Sequence, residues 1–166
     1  MEGYPVKLYL VGGAVRDHVL GRATKDYDFA VEARDYNQMI AELITNYDIR
    51  IWQERKEFGT VRGRVHGCSL GGFGGMVPQD AWVDADFTLC RTDGPYSDSR
   101  HPDYVLPTTI TGDLARRDFT MNAMAMTADG DLLDPWAGKV DLGLRMLRAV
   151  GDPVERFTED PLRMLR

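Results

Sequence analysis

The sequence predicts an α+β domain, on three observations. Short apolar runs with strand-like alternation crowd the first half of the chain. Helical spacing dominates roughly the last forty residues, and strands and helices do not alternate regularly. A doubly wound parallel sheet needs that regular alternation, so it is set aside.

Each element has its own signal. "VKLYLV", Val6 to Val11, reads as a first strand ending at Gly12-Gly13, and "AVRDHVLG" as one or two helical turns stopped by Gly21. "KDYDFAVEA" is a second strand, with Phe29, Ala30 and Val31 as its buried continuation. From Arg34 to Asn46, the residues Tyr36, Met39, Ile40, Leu43 and Ile44 recur at helical spacing and predict an amphipathic helix lying on the sheet. "IRIWQ" and "GTVRGRV" read as strands, and "HGCSLGGFGGMVPQD" as a mobile, glycine-rich hairpin connection. "AWVDADFTLCR" is an alternating strand and "TDGPYSDSRHPDYV" a polar loop. "DLARRDFTMNAMAM" starts as a helix, with Asp113 as the cap before Leu114, and runs into a buried segment. Asp129-Gly130 marks a hairpin turn. The remainder is helical with a break at "VGDPVERFTEDP", and "EDPLR" opens a helix with Thr158 as N-cap.

Composition narrows the function classes. At 166 residues, with 43% hydrophobic and 28% charged content, the chain is sized for one well-packed soluble domain. Two cysteines, Cys68 and Cys90, form no disulfide framework and have no zinc-ribbon spacing. Reduced thiols in a cytoplasmic protein are expected, with no membrane span and no signal peptide. A net charge of −6 argues against broad, non-specific nucleic-acid binding. It leaves room for a local basic groove, because Arg116, Arg117, Arg145, Arg148, Arg156, Arg163 and Arg166 cluster late in the chain.

The chemistry begins with "TKDYDFAVEA". Asp26 and Asp28 are two apart at a strand's mouth, so both face one side, roughly 7 Å apart. Neighbouring anions repel unless a cation sits between them. The pair therefore suggests a metal site. Thirteen residues earlier, strand, Gly12-Gly13 and short helix form an anion-binding arrangement, in which backbone N–H groups can approach a phosphate closely. Arg16, one turn on, can reach a second phosphate oxygen. A triphosphate with divalent Mg²⁺ fits such a pairing of glycines and carboxylates. Two-metal phosphoryl transfer wants a third carboxylate, and "WVDADF" offers Asp84 and Asp86 on one strand face.

Seven segments then carry a family resemblance. "LYLVGGAVRDHVLGRATKDYDF", "FGTVRG", "DFTLCR", "YSDSRHPDYV", "DLARRDFTMNAMAM", "DLLDPWAGKVDL" and "RFTEDPLRMLR" occur in that order. Together they resemble the class II tRNA nucleotidyltransferase (CCA-adding) and bacterial poly(A) polymerase family. The resemblance implies a polymerase-β-like nucleotidyltransferase head over residues 1–150, a small mixed sheet backed by helices. It implies the start of a helical neck, with a base-reading helix, over residues 151–166. It makes Gly13 and Arg16 nucleotide contacts beside Gly12, and Asp26 and Asp28 the metal ligands. The family usually has a glutamate five residues before the arginine of its next strand, and Asp86 stands there before Arg91, with Asp84 in reserve. Arg117 and Asp118 match contacts to the incoming nucleotide, with Asn122 at its ribose. Asp160 and Arg163 match the pair that reads the base edge of CTP or ATP, and Arg166 a further nucleotide contact.

The implied function is template-independent transfer of CMP and AMP from CTP and ATP to a tRNA 3′-hydroxyl, with release of pyrophosphate. Poly(A) polymerase is the alternative within the class. A non-catalytic nucleotide-binding module is the alternative outside it, and the two mutually repelling carboxylates argue against that. Leu162 and Leu165 begin an apolar stripe, from which further C-terminal domains or a partner copy of the chain are expected.

Overall fold

The computed structural model describes residues 4–97 and 102–165. Within them, nine strands and six α-helices follow one another as β1 (Lys7–Val11), α1 (Gly13–Val19), β2 (Tyr27–Glu32), α2 (Tyr36–Tyr47), β3 (Arg50–Arg55), β4 (Thr60–His66), α3 (Gly67–Leu70), β5 (Trp82–Leu89), β6 (Arg91–Asp93), β7 (Val105–Pro107), α4 (Ile110–Ala115), β8 (Ala125–Thr127), β9 (Leu132–Leu133), α5 (Gly138–Gly143) and α6 (Pro153–Glu159). Seven strands make one mixed sheet in the order β3-β4-β5-β2-β1-β8-β9. Every pairing in it is antiparallel except β2 with β5.

Alternation decides what each face of the sheet carries. Phe29 and Val31 of β2, Val61 and Val65 of β4, and Val83, Ala85, Phe87 and Leu89 of β5 point to one side. There they meet Ala14 and Val15 of α1 and Met39 and Leu43 of α2. Phe29 stacks on Phe87 and meets the edge of Phe73, each pair 5.2 Å between ring centres. The opposite face is covered over only half its width. Tyr9, Val11, Ala30 and Ala125 pack there beneath Ile110 and Leu114 of α4. Glu32, on the same face, accepts a hydrogen bond from the Ile110 N–H at 2.8 Å, and Thr109 caps the helix through the Gly112 N–H. Over β3, β4 and β5 no helix among the described residues covers this face.

Five local readings are corrected. The glycine-rich connection is anchored rather than mobile, because Leu70, Phe73 and Val77 are buried in the main core. The polar loop contributes β6 and β7, a separate two-stranded ribbon. Asp113 is no cap; it lies buried inside α4. "DPVERFTE" is itself the helix α6, capped by Asp152, and the irregular stretch precedes it. Thr158 sits within α6, its hydroxyl donating to the Val154 carbonyl at 2.7 Å, and Pro161–Leu165 form a 3₁₀ turn. The Asp129-Gly130 turn and the α2 helix stand where the sequence puts them.

Candidate active site

Strand register assembles the carboxylates. Val11, the last residue of β1, pairs with Asp28 of β2, and Asp28 pairs with Asp86 on the parallel strand β5. Asp28 and Asp86 are therefore side by side on the face that α4 leaves open, with Asp26 one step beyond the mouth of β2. Asp84, two residues from Asp86, lies farther along the same face. A cleft of about 580 Å³ is lined by Lys25, Asp26, Asp28, Trp52, Arg62, Asp84 and Asp86, among others. Enclosure by protein atoms raises the Asp28 carboxyl above the ordinary carboxylate range. The Asp86 and Asp26 charges add to that, and Arg117 and Arg62 oppose it.

Two arginines on β4 hold the β5 carboxylates. Arg62 is bidentate to Asp86 at 2.5 and 2.6 Å, and Arg64 to Asp84 at 2.6 and 3.1 Å. These partners follow from register, since Arg62 pairs with Asp86 and Arg64 with Asp84 across the two strands. The sequence reading missed them. Their signal is the shared alternation of "TVRGRV" and "WVDADF", which places all four on one face once the pairing is known. Among the described residues, no group of three or more His, Cys, Asp or Glu is gathered as a metal cage. Asp26 and Asp28 still suit a hard divalent cation. Both offer oxygen only, repulsion already strains the Asp28 charge, and Mg²⁺ is usually bound by one or two carboxylates together with phosphate oxygens.

The glycine turn sits on the other side of Asp28. Gly12 has a positive φ of +69°, which favours glycine, and a Cβ there would stand 3.2 Å from Arg117 Nη1 and 4.0 Å from Asp28 Oδ2. A bare backbone thus opens onto a cation and a carboxylate together. Arg16 donates through Nη1 to Asn122 Oδ1 at 3.1 Å, and Asn122 Nδ2 donates to Asp118 Oδ1 at 3.1 Å. Arg117 is held by the buried Asp113 at 3.1 Å, while its Nε is buried without a hydrogen-bond partner among the described residues. Gly12, Gly13, Arg16, Arg117, Asp118 and Asn122 are accordingly brought to one place. Asp113 is the carboxylate on which Arg116 and Arg117 converge.

Asp160 and Arg163 are both buried. Arg163 Nη1 donates to Glu159 Oε2 at 2.8 Å and to the Arg156 carbonyl at 3.2 Å, and Nη2 to the Arg116 carbonyl at 3.4 Å. Asp160 accepts from the Leu162 N–H at 3.0 Å. The last of these bonds of Arg163 ties the 3₁₀ turn to the Arg116-Arg117-Asp118 run. Arg166 lies outside the described residues.

Comparison with known proteins supplies the family. The model of the poly A polymerase head domain matches residues 8–148. The chain belongs to that family. A CCA-adding enzyme of Levilactobacillus brevis is 40% identical over 159 residues, covering 95% of this chain and 35% of that protein. A CCA-adding enzyme of Leuconostoc citreum is 38% identical over 168 residues, covering 100% of this chain and 36% of that protein. Among solved structures, the Bacillus stearothermophilus CCA-adding enzyme in complex with CTP superposes with a TM-score of 0.71 at 32% identity, over 97% of this chain and 33% of that one. A tRNA nucleotidyltransferase complexed with a primer tRNA and an incoming ATP analogue gives 0.65 at 30%, over 97% and 40%. The chain thus spans about a third of the length of the curated relatives it matches. The polymerase-β-like head and its mixed sheet backed by helices accord with these likenesses. No helix among the described residues is long and apolar enough to cross a membrane.

Proposed function

We propose that this chain is the catalytic head of a cytoplasmic, Mg²⁺-dependent tRNA nucleotidyltransferase that adds CCA. The observation that carries the reading is the Asp28–Asp86 register on neighbouring parallel strands, with the Gly12-Gly13 turn and Arg117 directly beside it. Residues 1–150 would form the head and 151–166 the start of a neck. The Gly12 and Gly13 backbone, Arg16 and Arg117 would hold the triphosphate of CTP or ATP. Asn122, positioned by Arg16 and Asp118, would meet the ribose. Asp26 and Asp28 would hold Mg²⁺, which when bound neutralises phosphate charge and lowers the pKa of an attacking hydroxyl. Asp86 would stand where the RNA 3′-hydroxyl attacks the α-phosphorus, and pyrophosphate would leave toward the glycines.

Asp160 and Arg163 are proposed to read the base edge, since a carboxylate accepts and a guanidinium donates. Arg166 is proposed as a further contact. Further C-terminal domains or a second copy of the chain would complete the acceptor grip.

The deciding experiment supplies labelled CTP and ATP, with Mg²⁺, to a tRNA lacking its 3′ end. Two cytidines and one adenosine followed by arrest support CCA addition. A growing adenosine tail would instead make this a poly(A) polymerase, the activity after which the matching head-domain family is called. No incorporation with intact CTP binding would leave a nucleotide-binding module.

A further inference from the structure

Trp52 lies in the same cleft as the carboxylates, 53% exposed, and phosphate binding gives it no role. It reaches the cleft through a bulge. Pairing of β3 with β4 runs from Ile51 opposite Gly63 directly to Gln53 opposite Arg62, so Trp52 is the extra residue. Ile51 packs into the core, and both Trp52 and Gln53 then line clefts on the open face. Bulges beside active sites commonly re-aim a side chain in this way.

We infer that Trp52 is the platform on which the 3′-terminal base of the acceptor RNA stacks, with Arg62 and Arg64 beside it meeting the backbone phosphates. The inference rests on the nucleotidyltransferase reading above. Its first support is position. The sheet order puts the glycine turn on the β1 side of Asp28 and Asp86, and Trp52, Arg62 and Arg64 on the β4–β3 side. In-line displacement brings the attacking hydroxyl from the side opposite the leaving pyrophosphate, so the acceptor belongs on the β4–β3 side.

Tolerance is the second support. An acceptor that grows by one nucleotide per cycle changes its last base, and an indole stacks on any base because every base has a π-face. Availability is the third. Arg62 and Arg64 side chains are 53% and 54% exposed, and each holds its carboxylate through Nε and Nη2 alone, so the remaining N–H donors can meet a phosphate without breaking either pair. Farther along the same face, Arg50 stacks on Trp82 at 4.5 Å, extending the aromatic and cationic strip away from the carboxylates.

The test uses the whole chain and a 5′-fluorescein-labelled single-stranded RNA of about 12 nucleotides ending in cytidine, within the range such grooves accommodate. Anisotropy gives the RNA affinity, and calorimetry with CTP and Mg²⁺ gives nucleotide affinity separately. Trp52→Ala should weaken RNA binding by about fivefold or more, the lower end of one base–aromatic stack. Trp52→Phe should stay within about twofold of the native protein, and CTP affinity should not change in either variant. An RNA whose last nucleotide is abasic should lose the same factor on the native protein and nothing further on Trp52→Ala, which assigns the contact to the terminal base. Equal RNA affinity in Trp52→Ala, or an abasic end that binds as well as a cytidine, overturns the inference. So does CTP binding without any RNA binding, and in that case the nucleotide half of the proposed function stands. Loss of CTP binding in the native protein would reject that half itself.

Discussion

Asp28 carries a charge its surroundings disfavour. Its folded-state pKa lies above the ordinary value because enclosure and the neighbouring Asp86 carboxylate oppose ionisation. A carboxyl whose folded pKa is raised subtracts from stability above that value, and the penalty fades as pH falls through it. Asp28→Asn should therefore melt at or above the native temperature in EDTA at neutral pH, and the gap should close as the pH is lowered. The same change should cut nucleotide incorporation by about 100-fold or more, in line with loss of a strong electrostatic contact to the transition state. Asp113 has the opposite sign. Burial opposes its charge, but Arg116 and Arg117 hold its carboxyl below the usual range, so its contribution is present at neutral pH and lost as pH falls through the folded value. Asp113→Ala would take the buried carboxylate from Arg117 and leave Arg116 with Asp93 alone, at 3.4 Å. Urea denaturation should show a loss of about 3–5 kcal/mol, the usual penalty for breaking a buried pair from one side.

Elements explain which parts of the site could be read before the fold was known. The Asp26-x-Asp28 spacing and the glycines after β1 are local signals. Alternation along "TVRGRV" and "WVDADF" likewise separates core from open face correctly, as the burial of Val61, Val65, Val83, Ala85 and Phe87 bears out. The Arg62–Asp86 and Arg64–Asp84 pairs were not legible, because they depend on a register between strands that no single segment specifies. Trp52 was hidden for a related reason, since a bulge shows only against a partner strand. The glycine-rich connection reads as mobile because its glycines outnumber the three apolar anchors among them, whose burial only the folded core supplies. Phe73 is wholly buried against Phe29, so Phe73→Ala should cost about 3–5 kcal/mol in chemical denaturation, far more than a loose connection would. Arg62 occupies Asp86 on a partly exposed surface, so Arg62→Ala should change stability by no more than about 1 kcal/mol. Removing that cation should also tighten Mg²⁺ binding, which titration calorimetry can follow.

The whole molecule is a half-covered sheet. One face carries the main core, and the other is closed over β1, β2 and β8 by Ile110 and Leu114 of α4 together with Val150. Asp28 and Asp86 stand at the border, where covered and open halves meet, with the Gly12-Gly13 turn proposed to cradle phosphate on one side and an open cleft on the other. With a net charge of −6, nothing in the overall balance draws in a triphosphate, so affinity has to come from this one place. Titration calorimetry of CTP with and without Mg²⁺, on the native chain and on Asp28→Asn, tests this most directly, because it needs no acceptor RNA. We expect one CTP per chain, an affinity about tenfold or more weaker in EDTA, and no gain from Mg²⁺ in Asp28→Asn. CTP binding that is equally tight in EDTA and indifferent to Asp28→Asn would contradict a metal–triphosphate site at Asp26 and Asp28.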